Sequence, residues 1–147
     1  MGIETKFDKN HLVILGEHYK KQADLFLGFI KAIAPLQGSI PTMEPCWHHE
    51  GVWRFRFASV IHEVRRTFAL AKIDGVDIWL STIQFATLNF DSEPAKIRLT
   101  SGIISYDSDG NIYVQNKATG VKIQDNPDQT FLYLAMAQWG TSSAQSK

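Results

Sequence analysis

Apolar side chains return every three or four positions from residue 9 to residue 33. Leu12, Leu15, Tyr19, Ala23, Phe26, Ile30 and Ile33 draw one stripe along a helix, and Val13, Ile14, Leu25 and Phe29 widen it. Asp8 supplies an N-cap and Pro35 forbids continuation. A stripe this broad predicts a helix pressed into a sheet, with dimerisation through the same surface as the alternative.

Beyond the helix the period changes. Pro35, Gly38, Pro41, Pro45 and Gly51 punctuate residues 34–51, which read as a long connection of the kind often retained for function. Then VWRFRF, Val52 to Phe57, alternates strictly. A strand would set Trp53, Phe55 and Phe57 on one face, turned into the core beneath the long helix, and Arg54 and Arg56 on the other. Residues 58–66 fit either structure, since Ile61, Val64 and Phe68 have helical spacing but no breaker separates them from the extended residues that follow.

Asp74-Gly75, between FALAKI and VDIWLS, is a hairpin signal because both turn positions need positive φ. A two-residue turn there sets Lys72 opposite Asp77 and Leu70 opposite Trp79. Extended sequence runs on from Ile78 to Phe90, and Pro94 breaks it. Residues 96–106 predict one more strand, and Asp109-Gly110 a second hairpin that puts Tyr106 opposite Tyr113. A short strand near VKI follows Gly120. Asn126, Pro127 and Gln129 announce a last helix with Leu132, Ala135, Met136 and Trp139 on its inner face and Gly140 at its end.

The fold class expected from this order is α+β: a long N-terminal helix and a C-terminal helix packed on a curved antiparallel meander of about five or six strands. Residues 1–140 form a single domain, and 141–147 a flexible C-terminal tail. A twisted sheet wrapped round such a helix leaves a pocket at its open end.

Composition narrows the function classes. A chain of 147 residues, 44% hydrophobic, is long enough for one domain with a sizeable core. Lys+Arg and Asp+Glu are 15 each, which argues against a dedicated polyanion binder. Cys46 stands alone, so no intrachain disulfide forms and a reducing compartment suits the chain. Neither a secretory leader nor an apolar run of about 18 residues is visible. The expectation is a soluble cytoplasmic protein without a membrane partner.

Candidate chemistry is densest in EPCWHHEGVWRFRF, Glu44 to Phe57. Glu44, Cys46, His48, His49 and Glu50 are competent ligands, but CxxC, HxxxH and HExxH are all absent, and adjacent histidines on extended chain point apart. His11 and His18 lie two helical turns apart, roughly 10 Å, too far for one ion. Asp107 to Asn111 resembles the opening of a calcium loop, yet Ala118 stands where the bidentate Glu belongs. No metal and no cofactor is therefore expected. Cys46 has histidines nearby that would activate a thiol, without a recognisable nucleophile pattern around it.

Two other readings have more support. His62 or His49 would serve as a general acid or base on a small anionic substrate, with Arg66 binding it if residues 58–66 are helical. Arg54, Arg56, Arg65, Arg66 and Lys72 interleave with aromatics as in single-strand nucleic-acid readers, but Asp74, Asp77, Asp91 and Glu93 cancel much of that field. The favoured expectation is a small non-catalytic binding protein. It recognises a small molecule between helix and sheet, or a protein partner through the sheet and residues 34–51, with a homodimer left open. Its candidate contacts are Trp47, His48, His49, Trp53, Arg54, Arg56, His62 and Arg66.

Overall fold

The computed structural model describes residues 9–49, 52–57, 60–89, 96–99 and 104–135. Helix α1 spans Lys9–Ile33 and ends where Pro35 enters a short 3-10 turn, Ala34–Gly38. Eight antiparallel strands follow: β1 Met43–His49, β2 Val52–Phe57, β3 Val60–Ile73, β4 Val76–Asn89, β5 Lys96–Leu99, β6 Ile104–Tyr106, β7 Asn111–Val114 and β8 Lys117–Lys122. A second helix, α2, covers 127–135. The class is α+β as expected, with more strands than the five or six anticipated.

One continuous order, β1-β2-β3-β4-β6-β7-β8, makes up the sheet, and β5 shares the β4 edge beside β6. The β3–β4 hairpin is its spine. Asp74 and Gly75 hold φ of 50° and 79°, the two positive values a tight hairpin turn of matching twist requires. Lys72 consequently faces Asp77 and Leu70 faces Trp79, the predicted register.

Several expectations need correction. Within the expected connection at 34–51, the described residues 34–49 are not irregular. After the 3-10 turn they run into β1, the edge strand among the described residues, where Pro45 is tolerated because β2 is its one described neighbour, and the register slips between Pro45 and Trp47. From Val60 onward the ambiguous stretch is extended, with Ile61 to Arg65 each paired to both β2 and β4. Pairing along two edges overrides its helical spacing. The strand expected over 96–106 is divided into β5 and β6.

The second hairpin also differs. Tyr106 faces Ile112, and Tyr113 faces Ser105. The loop has three residues rather than two, because Gly110 at φ 88° adds a bulge position after the turn. Asp107 locks this form by accepting the backbone N–H groups of Asp109 at 3.0 Å and Asn111 at 2.9 Å. One residue of slip moves Tyr113 to the outer face.

The core lies between the sheet and the helices. Trp53 and Phe55 are buried and Phe57 partly so, whereas Arg54 is half-exposed and Arg56 exposed, as the alternation of β2 predicted. The rings of β2 meet α2: Phe131 lies 6.4 Å from Trp53, 6.0 Å from Phe55 and 5.6 Å from Phe85. On α2 the inward residues are Phe131, Leu134 and Ala135, while Leu132 is exposed. The phase of this helix is set by Phe131. Asn126 begins it through its carbonyl, which accepts from Thr130 N at 3.1 Å, and its side chain turns back to the Lys122 carbonyl instead of capping. Asp8, Pro94, Met136, Trp139, Gly140 and the tail at 141–147 lie outside the described residues.

Helix α1 is not pressed into the sheet along its whole length. Its buried residues are Gln22, Phe26, Phe29, Ile30 and Ile33, all in the second half. Leu12 is 65% exposed and Tyr19 40%. This overhang, and one buried amide within an apolar stripe, position the site described next.

Candidate functional site

Strand parity sorts the sequence-predicted residues onto different faces. On β3 the even positions His62, Val64, Arg66 and Phe68 share the core face with Thr87, Phe85, Ile83 and Ser81 of β4. Odd positions look outward. Arg54 pairs in register with Glu63, so its Nε reaches Glu63 Oε1 at 2.9 Å, and Arg65 two residues along the same face holds the other carboxylate oxygen. Burial opposes ionisation of Glu63, but the hydrogen bonds and charges of Arg65 and Arg54 outweigh it and hold the carboxyl below its usual range. Arg54 is thus engaged in an ion pair on the outer face, and Arg56 stands on that face in solvent.

Trp53 is a core residue, 4% exposed and stacked on Phe55 at 4.9 Å. His62 is equally enclosed. It is 3% exposed, stacks on Phe55 at 5.3 Å, lies tilted against Phe57 at 6.5 Å, and its Nδ1 meets Thr87 Oγ1 at 3.3 Å. Burial pushes its pKa down to about 4, so the ring is neutral at pH 7 and walled off from any substrate. Although His62 and Arg66 share a face, four residues of strand separate them by roughly 13 Å. The structure therefore does not assemble the proposed acid–base pair. The backbone of Trp47, His48 and His49 forms edge strand β1, with His48 opposite Trp53 and His49 opposite Val52. Their side chains, and those of Cys46 and Glu50, lie outside the described residues. Among the described residues no group of three or more His, Cys, Asp or Glu is placed to hold a metal.

The structure brings together a different set around Gln22. This residue is fully buried, one turn from Tyr19 and from Phe26, so its amide must find partners inside the fold. Its Nε2 donates to the Trp79 carbonyl at 2.8 Å and to Ser108 Oγ at 3.1 Å. Its Oε1 accepts from Ser81 Oγ at 2.7 Å, and its backbone carbonyl accepts from Tyr106 Oη at 2.6 Å. Ser81 in turn accepts from Arg66 Nη1 at 2.9 Å. Ser108 Oγ lies 2.6 Å from His18 Nδ1, tying the helix to the β6–β7 turn. The row Phe68, Ser81, Tyr106 is set by the register of three adjacent strands, which explains why these groups converge.

Where α1 lifts away, an apolar groove of about 380 Å³ opens between helix and sheet, lined by Leu12, Leu15, Gly16, Tyr19, Phe68 and Trp79. Its aromatic wall is a ladder. Tyr19 meets Phe68 edge-on at 5.2 Å, and Phe68 stacks on Trp79 at 5.0 Å with the rings 8° from parallel. Behind this wall Arg66 sits against Tyr19, its guanidinium carbon 4.9 Å from the ring centre. On the far side of Trp79 a smaller hollow of about 220 Å³ is bordered by His18, Asp77, Asp107 and Asp109.

Arg66 alone of the sequence-predicted contacts packs against a wall of this groove among the described side chains, through the Tyr19 ring. Gln22, Ser81, Tyr19, Phe68 and Trp79 were missed. One signal was available, a glutamine set inside an otherwise apolar helical stripe. Ser81 and Ser108 carry none, because only strand register and turn geometry bring them near it. Compared with known proteins, the chain matches no family model, no curated protein and no solved structure.

Proposed function

We propose that this protein is a small non-catalytic binding protein, working in the cytoplasm, that takes an apolar small molecule into the groove between the first half of α1 and the β3–β4 hairpin. The observation that carries this reading is the half-open aromatic ladder Tyr19–Phe68–Trp79 facing Leu12 and Leu15. Ligand sites are typically clefts of about 300–1,000 Å³, mostly apolar with a few fixed polar groups, and this groove has that make-up. Beneath it the Gln22 network uses its donors and acceptors on one another, which suits rigid support rather than proton transfer. A cytoplasmic setting rests on the single cysteine, and no helix among the described residues is long and apolar enough to cross a membrane.

The neutral fluorophore N-phenyl-1-naphthylamine tests the reading. It should bind saturably to the full chain, and Leu15→Asp, a half-exposed position, should weaken binding by about tenfold or more while the melting temperature stays put. Absence of saturable binding, or equal binding by the variant, refutes it. A protein-partner form of the same reading, including self-association, draws on Leu12, Val13 and Ile14, which are 65%, 50% and 52% exposed in one run. Sedimentation velocity that finds only monomer across a wide concentration range would rule out the homodimer.

A further inference from the structure

Arg66 is the cation of this end of the molecule whose needs the described residues leave unmet. Among the described residues it makes no ion pair: Glu63 is engaged by Arg54 and Arg65 on the opposite face, and Asp77 by Lys72 at 3.5 Å. Its Nε is buried, and no acceptor among the described residues reaches it. Its Nη1 has only Ser81 Oγ, a neutral acceptor whose own proton is directed to Gln22. The guanidinium is meanwhile held in place, at 4.9 Å from the Tyr19 ring centre and 6.0 Å from that of Phe26. A half-buried charge without a counter-ion is costly, and such groups are ordinarily paired.

From this we infer that the ligand of the groove is an amphiphilic anion whose apolar body lies along Tyr19, Phe68 and Trp79 and whose carboxylate is seated at the Arg66 guanidinium. The inference rests on the binding reading above and adds the chemical class. Arg66 and Phe68 are successive core-face positions of β3, so the head-group site and the aromatic floor are about 7 Å apart, a spacing one small molecule bridges. The planar fork of an arginine suits a carboxylate in two-point contact. Orientation follows from the surrounding charge. Asp77, Asp107 and Asp109 border the hollow beyond Trp79, with His18 among them, and an anionic head would be repelled from that end. Asp107 is already committed to Asn111 and Tyr113 of its own turn.

The test compares head groups on one tail. Dodecanoate, dodecan-1-ol and dodecyltrimethylammonium, each below its micellar concentration, compete with N-phenyl-1-naphthylamine for the full chain. Dodecanoate should compete at least about tenfold better than the alcohol, the order expected for one charge-assisted hydrogen-bonded contact, and the cation should be weakest. Arg66→Met should bring dodecanoate to the level of the alcohol and leave the alcohol unchanged, with Arg66→Lys in between. Equal competition by dodecanoate and dodecanol in the native protein overturns the anion inference while the groove stands. Failure of all three, and of the fluorophore itself, overturns both. Should Arg66→Met not fold, the comparison of head groups on the native protein still decides.

Discussion

Lowering the pH from 7.5 to 4.5 should cost this protein about 2–3 kcal/mol through His62 alone, because burial pushes the pKa of that ring from 6.5 to about 4. The sign follows from which state binds the proton first. As the pH falls below 6.5 the unfolded chain takes up a proton on His62, while the folded chain keeps the ring neutral until about pH 4. The unfolded state is favoured throughout that window, so stability is lost as acid is added. The structural cause is specific: a 3% exposed imidazole stacked on Phe55 and tilted against Phe57, with Thr87 as a polar neighbour. Urea unfolding at pH 7.5, 6.5, 5.5 and 4.5, followed by far-ultraviolet circular dichroism, measures the effect in the native chain and in His62→Asn. The variant is less stable at every pH because packing is lost, but that constant term cancels in the difference between pH values. Acid loss from Glu63, whose folded pKa is lowered, belongs to both chains and cancels too. The native chain should lose about 2–3 kcal/mol more than the variant between the two ends of the range. Parallel profiles, within about 0.5 kcal/mol, would show that His62 is solvated or already charged, and the neutral core histidine described here would be wrong.

Two further outcomes test the layers on either side of the sheet. Glu63→Gln should lower stability by about 2 kcal/mol in urea at pH 7, less than for a fully enclosed pair because the side chains of Arg54 and Arg65 are 41% and 33% exposed; a change below about 0.5 kcal/mol would mean the outer-face ion pairs are inconsequential. Phe131→Ala should cost about 4 kcal/mol by opening a cavity against Trp53, Phe55 and Phe85, read as a shift of the urea midpoint with an unchanged slope; a loss under about 1 kcal/mol would detach α2 from the core.

Local patterns made much of the fold legible. The extent of α1, the alternation of β2, the Asp74–Gly75 turn and the start of α2 all follow from groups within a few residues of one another, where backbone sterics and period decide the outcome. The same proximity explains the failures. Edge strand β1 was hidden behind prolines that an edge tolerates, and the extra residue in the Asp107–Gly110 turn hinged on a carboxylate closing its own loop.

What the chain determined unaided is therefore which stretches are helical or extended and which faces of them are apolar. The tertiary structure decided which apolar faces are covered. Half of the α1 stripe stays open because the helix is buried against the sheet only from Gln22 onward, a consequence of strand order that no periodicity encodes. It also decided the partners of Arg66. Across β2 and β3 this residue is one of four arginines, and only pairing across β2, β3 and β4 sets Glu63 against Arg54 and Ser81 beside Arg66. Contacts between residues distant along the chain are fixed by register and layer packing, and those depend on the whole sheet at once.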